Sequence, residues 1–304
     1  MNTNAVEVAD LRKSYGPLQA LRGITFTVAE GEVFALLGPN GAGKTTTVEI
    51  LEGFRRRDGG SASVLGIDPA SGARRLKEQI GIVLQTTGVD PYLTVAETVD
   101  MFRGYYPHPR DRDEVITLVG LEDKATSRVT RLSGGQKRRL DVAIALAGNP
   151  RVLFLDEPTT GFDPGARRNA WEVIKGLAGL GKTIFLTSHA MDEVQYLADR
   201  VVIISGGRIV AEGTPESLVG RQKADTVIRF RVSRPDTMPD KLRGVAKLDG
   251  DSVEIEAADP TRTLYDLTSW AVEGGVSLDA LQVLRPSLED VYLEITKEAE
   301  APTA

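Results

Sequence analysis

The residues with the clearest chemistry form an eight-residue loop, Gly38–Thr45, which fits the phosphate-binding pattern G-x-x-x-x-G-K-[ST] in full. An apolar run leads into the loop, and a helix-period segment begins at Lys44. Glycines allow the backbone to curl so that successive N–H groups face phosphate oxygens, and the helix adds its positive dipole end. Lys44 is expected to reach the β- and γ-phosphates, and the Thr45 hydroxyl to hold Mg²⁺. The predicted nucleotide-binding residues are Gly38, Pro39, Asn40, Gly41, Ala42, Gly43, Lys44, Thr45 and Thr46.

A second candidate group is the acidic pair Asp156-Glu157, which ends the apolar run Val152–Leu155. Side chains alternate along a strand, so the two carboxylates face different ways and cannot do the same work. Asp156 suits a place beside the water shell of Mg²⁺, whereas Glu157 suits a general base that orients and deprotonates the attacking water. Taken alone, such a pair is as often simply solvated. The phosphate-binding loop upstream favours catalysis, because it requires an acid on the Mg²⁺ side.

The composition limits the classes of protein and of site. The chain has 304 residues, of which 41% are hydrophobic, enough for one large and one small folded domain. A formal net charge of -6 argues against a general nucleic-acid binder, which needs a basic face. No cysteine is present, and His108 and His189 are the only histidines, so disulfides and metal sites built on Cys or His are not expected.

Targeting and membrane segments are not expected either. The N-terminus lacks the charged and apolar segments of a signal peptide. The longest apolar runs have the length of a strand and fall short of a membrane span. The sequence therefore predicts a cytoplasmic protein, which would reach a membrane only through a partner.

Short apolar runs alternate with helix-period segments from residue 5 to about residue 215. Continuous apolar runs of this length are typical of strands buried on both faces, as in a parallel sheet covered by helices, and predict an α/β fold. The predicted strands are Val33–Leu37, Ile80–Leu84, Val152–Leu155, Ile184–Thr187 and Val201–Ile204. The predicted helices are Lys44–Leu51, Val95–Tyr105, Gln136–Ala147, Arg167–Leu180 and Met191–Ala198.

Both ends of the chain differ from this α/β pattern. The stretch Val6–Val28 is typical of hairpin-linked strands and predicts a small antiparallel subdomain. After about Gly220, strands are predicted at Thr226–Val232 and Ser252–Ala257. Apolar residues at helical spacing predict two helices there, marked by Leu264, Leu267 and Ala271 and by Leu288, Val291, Tyr292 and Ile295. We therefore predict a first domain over residues 1–220 and a small α+β domain over residues 221–304, ending in a polar tail.

The pentapeptide Leu132-Ser133-Gly134-Gly135-Gln136 lies between the phosphate-binding loop and the acidic pair. A serine hydroxyl, two glycine amides and a helix N-terminus make it another anion cradle, although Ser133 would also serve as a plain helix cap. It matches the signature sequence of ABC (ATP-binding cassette) ATPases. In order with the other two motifs, it makes residues 1 to about 220 similar to an ABC transporter ATP-binding subunit of the P-loop NTPase class.

Four further residues match motifs of that family and take roles from the resemblance. Tyr15 matches the aromatic residue that stacks on adenine, and Asp163 matches the D-loop, although Phe162 replaces the more usual leucine. Gln85 matches the Q-loop glutamine, which links Mg²⁺ and the attacking water to the membrane partner. His189 matches the switch histidine that contacts the γ-phosphate. Each also has an ordinary structural interpretation, namely a surface aromatic, a strand-end polar residue or a helix cap; only the ordered set favours function.

The resemblance implies how one chain uses two anion cradles. In the family, two subunits pack head-to-tail, and each signature caps the γ-phosphate held by the other's phosphate-binding loop. We therefore expect a homodimer around two ATP molecules, with Glu157, His189 and Gln85 catalytic and Thr45, Gln85 and Asp156 on the Mg²⁺ side. Ser133, Gly134, Gly135, Gln136 and Asp163 are the expected nucleotide contacts from the signature and D-loop. Transmembrane permease subunits are the expected further partners, which place the protein at the cytoplasmic face of the membrane.

Two less specific matches indicate a subgroup. The sequence around Asp90-Pro91 and Leu93–Glu97 resembles that of exporter ATPases of the daunorubicin-resistance type, as does the sequence of Arg285–Leu293 near the C-terminus. In relatives, a helical subdomain, here about residues 86–150, grips the permease. The resemblance implies export of a drug-like or lipid-like cargo, and a small C-terminal domain that steadies the dimer.

Two alternatives stay open at this point. One is a non-transport ABC ATPase that acts on ribosomes or nucleic acid, although such relatives usually carry two cassettes or a long inserted coiled coil, and the chain is acidic. The other is a nucleotide-binding scaffold without turnover. The presence of Glu157, Gln85 and His189 argues against that second alternative.

Overall fold

The computed structural model describes residues 3–83, 88–221, 226–284 and 288–292. These residues divide into two compact units, the first ending at Pro215 and the second beginning at Glu216. None of the helices within the described ranges has both the length and the apolar character that crossing a bilayer requires.

The first unit alternates strands and helices along the chain. Its strands are β1 (Asn4–Tyr15), β2 (Leu18–Ala29), β3 (Val33–Leu37), β4 (Gly59–Val64), β5 (Ile80–Val83), β6 (Val152–Asp156), β7 (Thr183–Ser188), β8 (Arg200–Ser205) and β9 (Arg208–Gly213). Its helices are α1 (Lys44–Leu51), α2 (Pro69–Lys77), α3 (Val95–Arg103), α4 (Arg112–Leu118), α5 (Gly134–Leu146), α6 (Pro164–Gly179) and α7 (Met191–Leu197). Helix α8 (Pro215–Arg221) begins at the boundary between the units.

A six-stranded sheet forms the centre of the first unit, in the order β5-β6-β7-β3-β8-β9. The strands are parallel except for β9, which pairs antiparallel with β8. β3 and β7 are buried along their whole length, as expected for strands covered on both faces. The predicted α/β class and its parallel-sheet core are confirmed. Because β6, β7 and β3 are neighbours, the segments that follow their carboxyl ends meet at one edge of the sheet.

A second sheet packs within the same unit and is antiparallel, in the order β2-β1-β4. The predicted N-terminal hairpin is confirmed, but the sheet gains a third strand, β4, from beyond the phosphate-binding loop. A shared core joins the two sheets through aromatic rings: Phe26 of β2 stacks on Phe34 of β3 at 5.2 Å, and Phe34 contacts Phe185 of β7 at 5.1 Å. This core fixes the antiparallel sheet against the start of the phosphate-binding segment.

The chain between β5 and β6 contains helices α3, α4 and α5, which pack on one another. Two of them begin with the same reciprocal cap, in which a hydroxyl accepts from the third backbone N–H and the third side chain accepts in return. Thr94 and Glu97 form this capping box on α3, and Ser133 and Gln136 form it on α5. The local sequence therefore fixes where the signature helix begins.

The second unit has a four-stranded antiparallel sheet in the order β11-β12-β10-β13. Its elements are β10 (Thr226–Arg231), α9 (Asp240–Arg243), β11 (Ala246–Asp249), β12 (Ser252–Ala257), α10 (Pro260–Gly274) and β13 (Asp279–Leu284). A separate core, which includes Ile228, Phe230, Val253, Ile255 and Leu267, holds the sheet against α10. Residues 288–292 are helical, where a helix was predicted, whereas Ile295 lies outside the described residues.

Candidate functional site

The phosphate-binding loop follows β3 and leads directly into α1, as predicted. Gly43 stands at the N-cap with a φ of 110°, and a Cβ there would lie 2.7 Å from the carbonyl oxygen of Ala20. Only glycine fits this left-handed, closely packed position. No side chain caps α1, so its first N–H groups face the loop and suit an anion.

The Lys44 side chain lies buried beneath this loop. Its Nζ donates to the carbonyl oxygens of Gly38 at 2.7 Å and Pro39 at 3.3 Å, and it lies 3.8 Å from Glu157 Oε1. Burial lowers the pKa of Lys44, and the nearby carboxylates of Glu157 and Asp156 oppose this effect. A bound phosphate would add negative charge beside the ammonium group and favour its charged form further.

The two carboxylates at the end of β6 face different surroundings. Asp156 accepts a hydrogen bond from the Thr187 hydroxyl on the neighbouring strand β7. Glu157 follows with a φ of 47°, so the chain turns sharply there, and its backbone N–H donates to the carbonyl and hydroxyl oxygens of Thr187, each at 3.1 Å. Glu157 Oε1 lies 3.2 Å from His189 Nδ1. Lys44, Glu157 and His189, which follow the adjacent strands β3, β6 and β7, thus lie in one cluster.

A cavity of about 290 Å³ opens on the other side of the acidic pair. It is lined by Thr45, Val48, Glu49, Glu52, Phe54 and Asp156. Both described candidates for the Mg²⁺ side, Thr45 and Asp156, therefore line one space. The third candidate, Gln85, lies outside the described residues.

Glu52 also lines this cavity, at the C-terminal end of α1, with only 2% of its surface exposed. Burial raises the pKa of Glu52 to about 8, and the charges of Asp156 and Glu49 act in the same direction. A carboxyl group that stays protonated at neutral pH therefore stands beside the acidic pair.

Tyr15 ends β1 and reaches toward the helix that follows the phosphate-binding loop. Its hydroxyl lies 3.4 Å from the Thr46 hydroxyl. The guanidinium of Arg55 lies 5.1 Å from the ring centre, and Lys13 Nζ lies 5.6 Å from it. With 37% of its surface exposed, the ring is partly accessible beside the loop.

The residues of the signature sequence, 133–136, do not line the same cavity as the phosphate-binding loop. Ser133 Oγ accepts from the Gln136 N–H at 3.3 Å, and Gln136 Oε1 accepts from the Ser133 N–H at 2.9 Å. Asp163 caps α6 by accepting from Gly165 N and Ala166 N, both at 2.9 Å. The residues 133–136 and Asp163 line one cavity of about 610 Å³, to which no residue of the phosphate-binding loop contributes. The sequence-predicted site residues thus form two groups.

Sequence reasoning missed the residues that tie the first group together. Thr187 contacts both carboxylate-bearing residues, and Glu52 lies buried beside them, yet neither was predicted. Thr187 has no distinguishing signal within its apolar run. Glu52 has a weak one, since a glutamate directly after a predicted helix of largely buried residues is unusual.

Comparisons with known proteins give consistent matches. The model of the ABC transporter family matches residues 21–160. That of the C-terminal domain of ABC transporter domain-containing protein-like proteins matches residues 226–287. Nod factor export ATP-binding protein I of Rhizobium meliloti (strain 1021) is 39% identical over 97% of this chain and 88% of the relative.

Two further matches extend this similarity. Daunorubicin resistance ATP-binding protein DrrA2 of Streptomyces coeruleorubidus is 37% identical over 97% of this chain and 96% of its own length. The solved dimer of the ATP-binding cassette MJ0796 in a post-hydrolysis state, bound to ADP and Pi, matches with a TM-score of 0.61. That match has 25% identity and covers 69% of this chain and 98% of the other.

Proposed function

This chain belongs to the ABC transporter ATPase family, and we propose that two copies of it enclose two ATP molecules to drive export through a permease. Membership makes it an ATP-binding and ATP-hydrolysing subunit that energises export through a separate membrane-spanning protein. The predicted export ATPase is confirmed, and the relatives' names give no support to the nucleic-acid alternative. The roles of individual residues, the arrangement of the copies and the cargo are proposals.

One observation carries the proposed chemistry: Lys44, Glu157 and His189 converge at one edge of the parallel sheet. The uncapped N–H groups of α1 and the Lys44 ammonium group hold the β- and γ-phosphates. Lys44 thereby exchanges its neutral carbonyl acceptors for charged phosphate oxygens, which form stronger hydrogen bonds. Tyr15 stacks on the adenine ring. ATP binding therefore draws on groups that the fold already holds in place.

The donors on the Mg²⁺ side fit that ion. The Thr45 hydroxyl and the Asp156 carboxylate are hard oxygen donors, and they line the same cavity. Mg²⁺ in nucleotide sites typically takes one or two protein oxygens, phosphate oxygens and water, so the lack of any larger His, Cys, Asp or Glu cluster among the described residues is compatible with it. When bound, Mg²⁺ neutralises charge on the phosphate oxygens. Gln85 is the proposed third contributor.

Glu157 is the proposed general base. Its carboxylate accepts the proton of a water that attacks the γ-phosphorus, in line with the leaving ADP. His189, 3.2 Å from Glu157 Oε1, orients the carboxylate and contacts the γ-phosphate. Lys44 stabilises the negative charge that the transferred phosphoryl group carries. Glu157 thus moves the proton, while Lys44 and His189 hold the reacting groups.

The second copy is needed because the signature lies elsewhere. Ser133 and Gly134 are exposed at the start of α5 and share a cavity with Asp163, not with the phosphate-binding loop. An exposed helix N-terminus with glycine amides suits the γ-phosphate held by another copy. The dimeric structure of a related cassette with bound ADP and Pi supports the pairing of two copies, and the head-to-tail arrangement is part of our proposal.

The names of the relatives support an exporter, and the contacts with the permease and the class of cargo are proposals. We propose that the segment around α3 and α4 contacts the permease, which holds the protein at the cytoplasmic face of the membrane. We propose a drug-like or lipid-like cargo; the relative named for daunorubicin resistance supports the drug-like class. Cargo contacts lie in the permease, so this ATPase supplies force and timing.

Glu157→Gln tests the proposed mechanism. We expect steady-state phosphate release to fall about 10²–10⁴-fold, because the base is lost while its shape is kept. The variant should retain ATP and run as a dimer in size-exclusion chromatography. Glu172→Gln is the matched control, since this exposed glutamate bonds only to the Tyr196 hydroxyl among its described contacts. Wild-type hydrolysis by Glu157→Gln would contradict the assignment.

A further inference from the structure

A buried carboxyl group outside the proposed catalytic set links several parts of the site. Glu193 on α7 has 1% of its surface exposed. Its Oε1 accepts from the Thr159 hydroxyl at 2.7 Å and from the Trp171 indole N–H at 3.2 Å. Its Oε2 accepts from the Ser188 hydroxyl at 2.7 Å. Both oxygens are therefore engaged by donors from three different segments.

These donors lie next to the residues that do the chemistry. Ser188 directly precedes His189, and its Oγ also accepts from the Ala190 backbone N–H at 3.0 Å, so it fixes the turn on both sides of the histidine. Thr159 is two residues after Glu157 and begins the segment that leads to the D-loop. Trp171 lies in the middle of α6 and is not itself a proposed nucleotide contact.

A neighbouring cation completes the arrangement. Arg138 on α5, also buried, donates to the Pro158 carbonyl oxygen at 3.1 Å and lies near Asp141 at 3.6 Å. Its guanidinium is close enough to Glu193 for the two charges to interact. The segment Glu157–Thr159 is thus held on one side by the signature helix and on the other by Glu193.

We infer that Glu193 is a positioning residue that fixes His189 against Glu157 by anchoring Ser188 and Thr159 to a single carboxyl group. This inference rests on the site proposed above. Catalytic efficiency depends on the separation of the base, the switch histidine and the γ-phosphate, and a misplacement of about 1 Å can cost about 100-fold in rate. Glu193 is buried and is not among the proposed nucleotide contacts, so losing its hydrogen bonds should slow turnover and leave ATP affinity unchanged.

Two conservative substitutions separate positioning from packing. Ser188→Ala deletes the hydrogen bond that connects Glu193 to the turn at His189, and also the one that the Ser188 hydroxyl accepts from the Ala190 N–H. Glu193→Ala is therefore measured beside it, because that variant leaves the Ala190 bond in place and should lower kcat in the same way. Trp171→Phe deletes a hydrogen bond to the same carboxyl group, but from a helix that carries no catalytic side chain there. Trp171 is buried and stacks on Tyr196, so Trp171→Phe should lower the melting temperature at least as much as Ser188→Ala and controls for a loss of packing. Glu193→Gln, which keeps the shape and one acceptor, should lose less activity than Glu193→Ala.

The test measures kcat, KM for ATP and the affinity for a fluorescent ATP analogue. Ser188→Ala should lower kcat at least about tenfold with KM and affinity within about twofold of wild type, whereas Trp171→Phe should keep kcat within about twofold. Equal kcat values in Ser188→Ala and Trp171→Phe, whether both reduced or both normal, would overturn the inference. Glu157→Gln is assayed in parallel: if it hydrolysed ATP normally, the catalytic assignment itself would fail, independently of Glu193.

Discussion

The buried carboxyl group of Glu52 should make the stability of the first unit depend on pH. In the folded protein its pKa is raised from its ordinary value of 4.5 to about 8, chiefly by burial. Glu52→Gln replaces the protonated acid by a neutral side chain of the same shape. The substitution therefore removes a titration and leaves the packing of α1 unchanged.

The direction of the pH effect follows from the number of protons that the folded and unfolded states bind. Between pH 4.5 and about 8 the folded state keeps the Glu52 proton and the unfolded state has lost it, so raising the pH favours unfolding. Each pH unit in this window lowers the free energy of unfolding by up to about 1.4 kcal/mol. Between about pH 5 and about pH 7 the wild type therefore loses about 2–3 kcal/mol of stability, whereas Glu52→Gln does not. For a unit of this size, that corresponds to about 5–10 °C in melting temperature.

The assay is thermal unfolding at several pH values, without nucleotide and with EDTA, for the wild type, Glu52→Gln and Glu78→Gln. The wild-type curve should fall below that of Glu52→Gln progressively as the pH rises. Glu78 is the control because it is exposed at the end of α2. A melting-temperature difference between Glu52→Gln and wild type that stays constant from pH 5 to pH 7 would refute the proposed burial effect.

Three further predictions concern other parts of the chain. Gly43→Ala should abolish ATP binding and destabilise the first unit by more than about 1 kcal/mol, because Gly43 has a φ of 110° and a Cβ there would collide with the Ala20 carbonyl oxygen. Filter binding measures the first effect and thermal unfolding the second. Ser133→Ala and Thr94→Ala each remove a capping box and should lower the free energy of unfolding by about 1 kcal/mol. Only Ser133→Ala should also slow phosphate release, and equal activities of the two variants would contradict a role for Ser133 beyond capping. Phe230→Ala should destabilise the second unit by about 3–5 kcal/mol, seen as loss of hydrogen-exchange protection in β10 and β12, whereas unchanged protection would contradict its place in that core.

Much of the fold could be predicted because its strands are short, apolar and buried on both faces. Val33–Leu37 and Ser252–Ala257 match the observed strands at both ends. β4 could not be predicted, since in Gly59–Val64 only Ala62 and Val64 are buried, and its pairing with β1 depends on a contact distant in sequence. β13 is exposed along its length and carries no alternating pattern of burial.

The site was predictable where motifs are local and not where contacts are long-range. The loop around Lys44 and the pair Asp156-Glu157 are continuous segments, so their residue types alone indicate chemistry. Thr187 contacts Asp156, and Glu193 contacts Thr159, across more than 30 residues of sequence in each case, and only the pairing of β6 with β7 and the packing of α7 bring these residues together. A single sequence contains no record of such contacts.

The central proposal is that a nucleotide lies between the Lys44 loop of one copy and the Ser133 turn of another. The chain has no cysteine, so single cysteines can be introduced without other changes. Asn40 is exposed on the loop, and a Cβ at Gly134 meets no atom within 4 Å, so both positions accept the change. Gly176, on α6, offers equal space and serves as the control position.

The decisive measurement mixes Asn40→Cys chains with Gly134→Cys chains, both carrying Glu157→Gln, and treats them with a short bis-maleimide. A covalent dimer containing one chain of each kind should form with ATP and Mg²⁺, and only weakly without nucleotide or when Gly176→Cys replaces Gly134→Cys. Cross-linking that is independent of ATP, or no greater than with Gly176→Cys, would contradict the shared site.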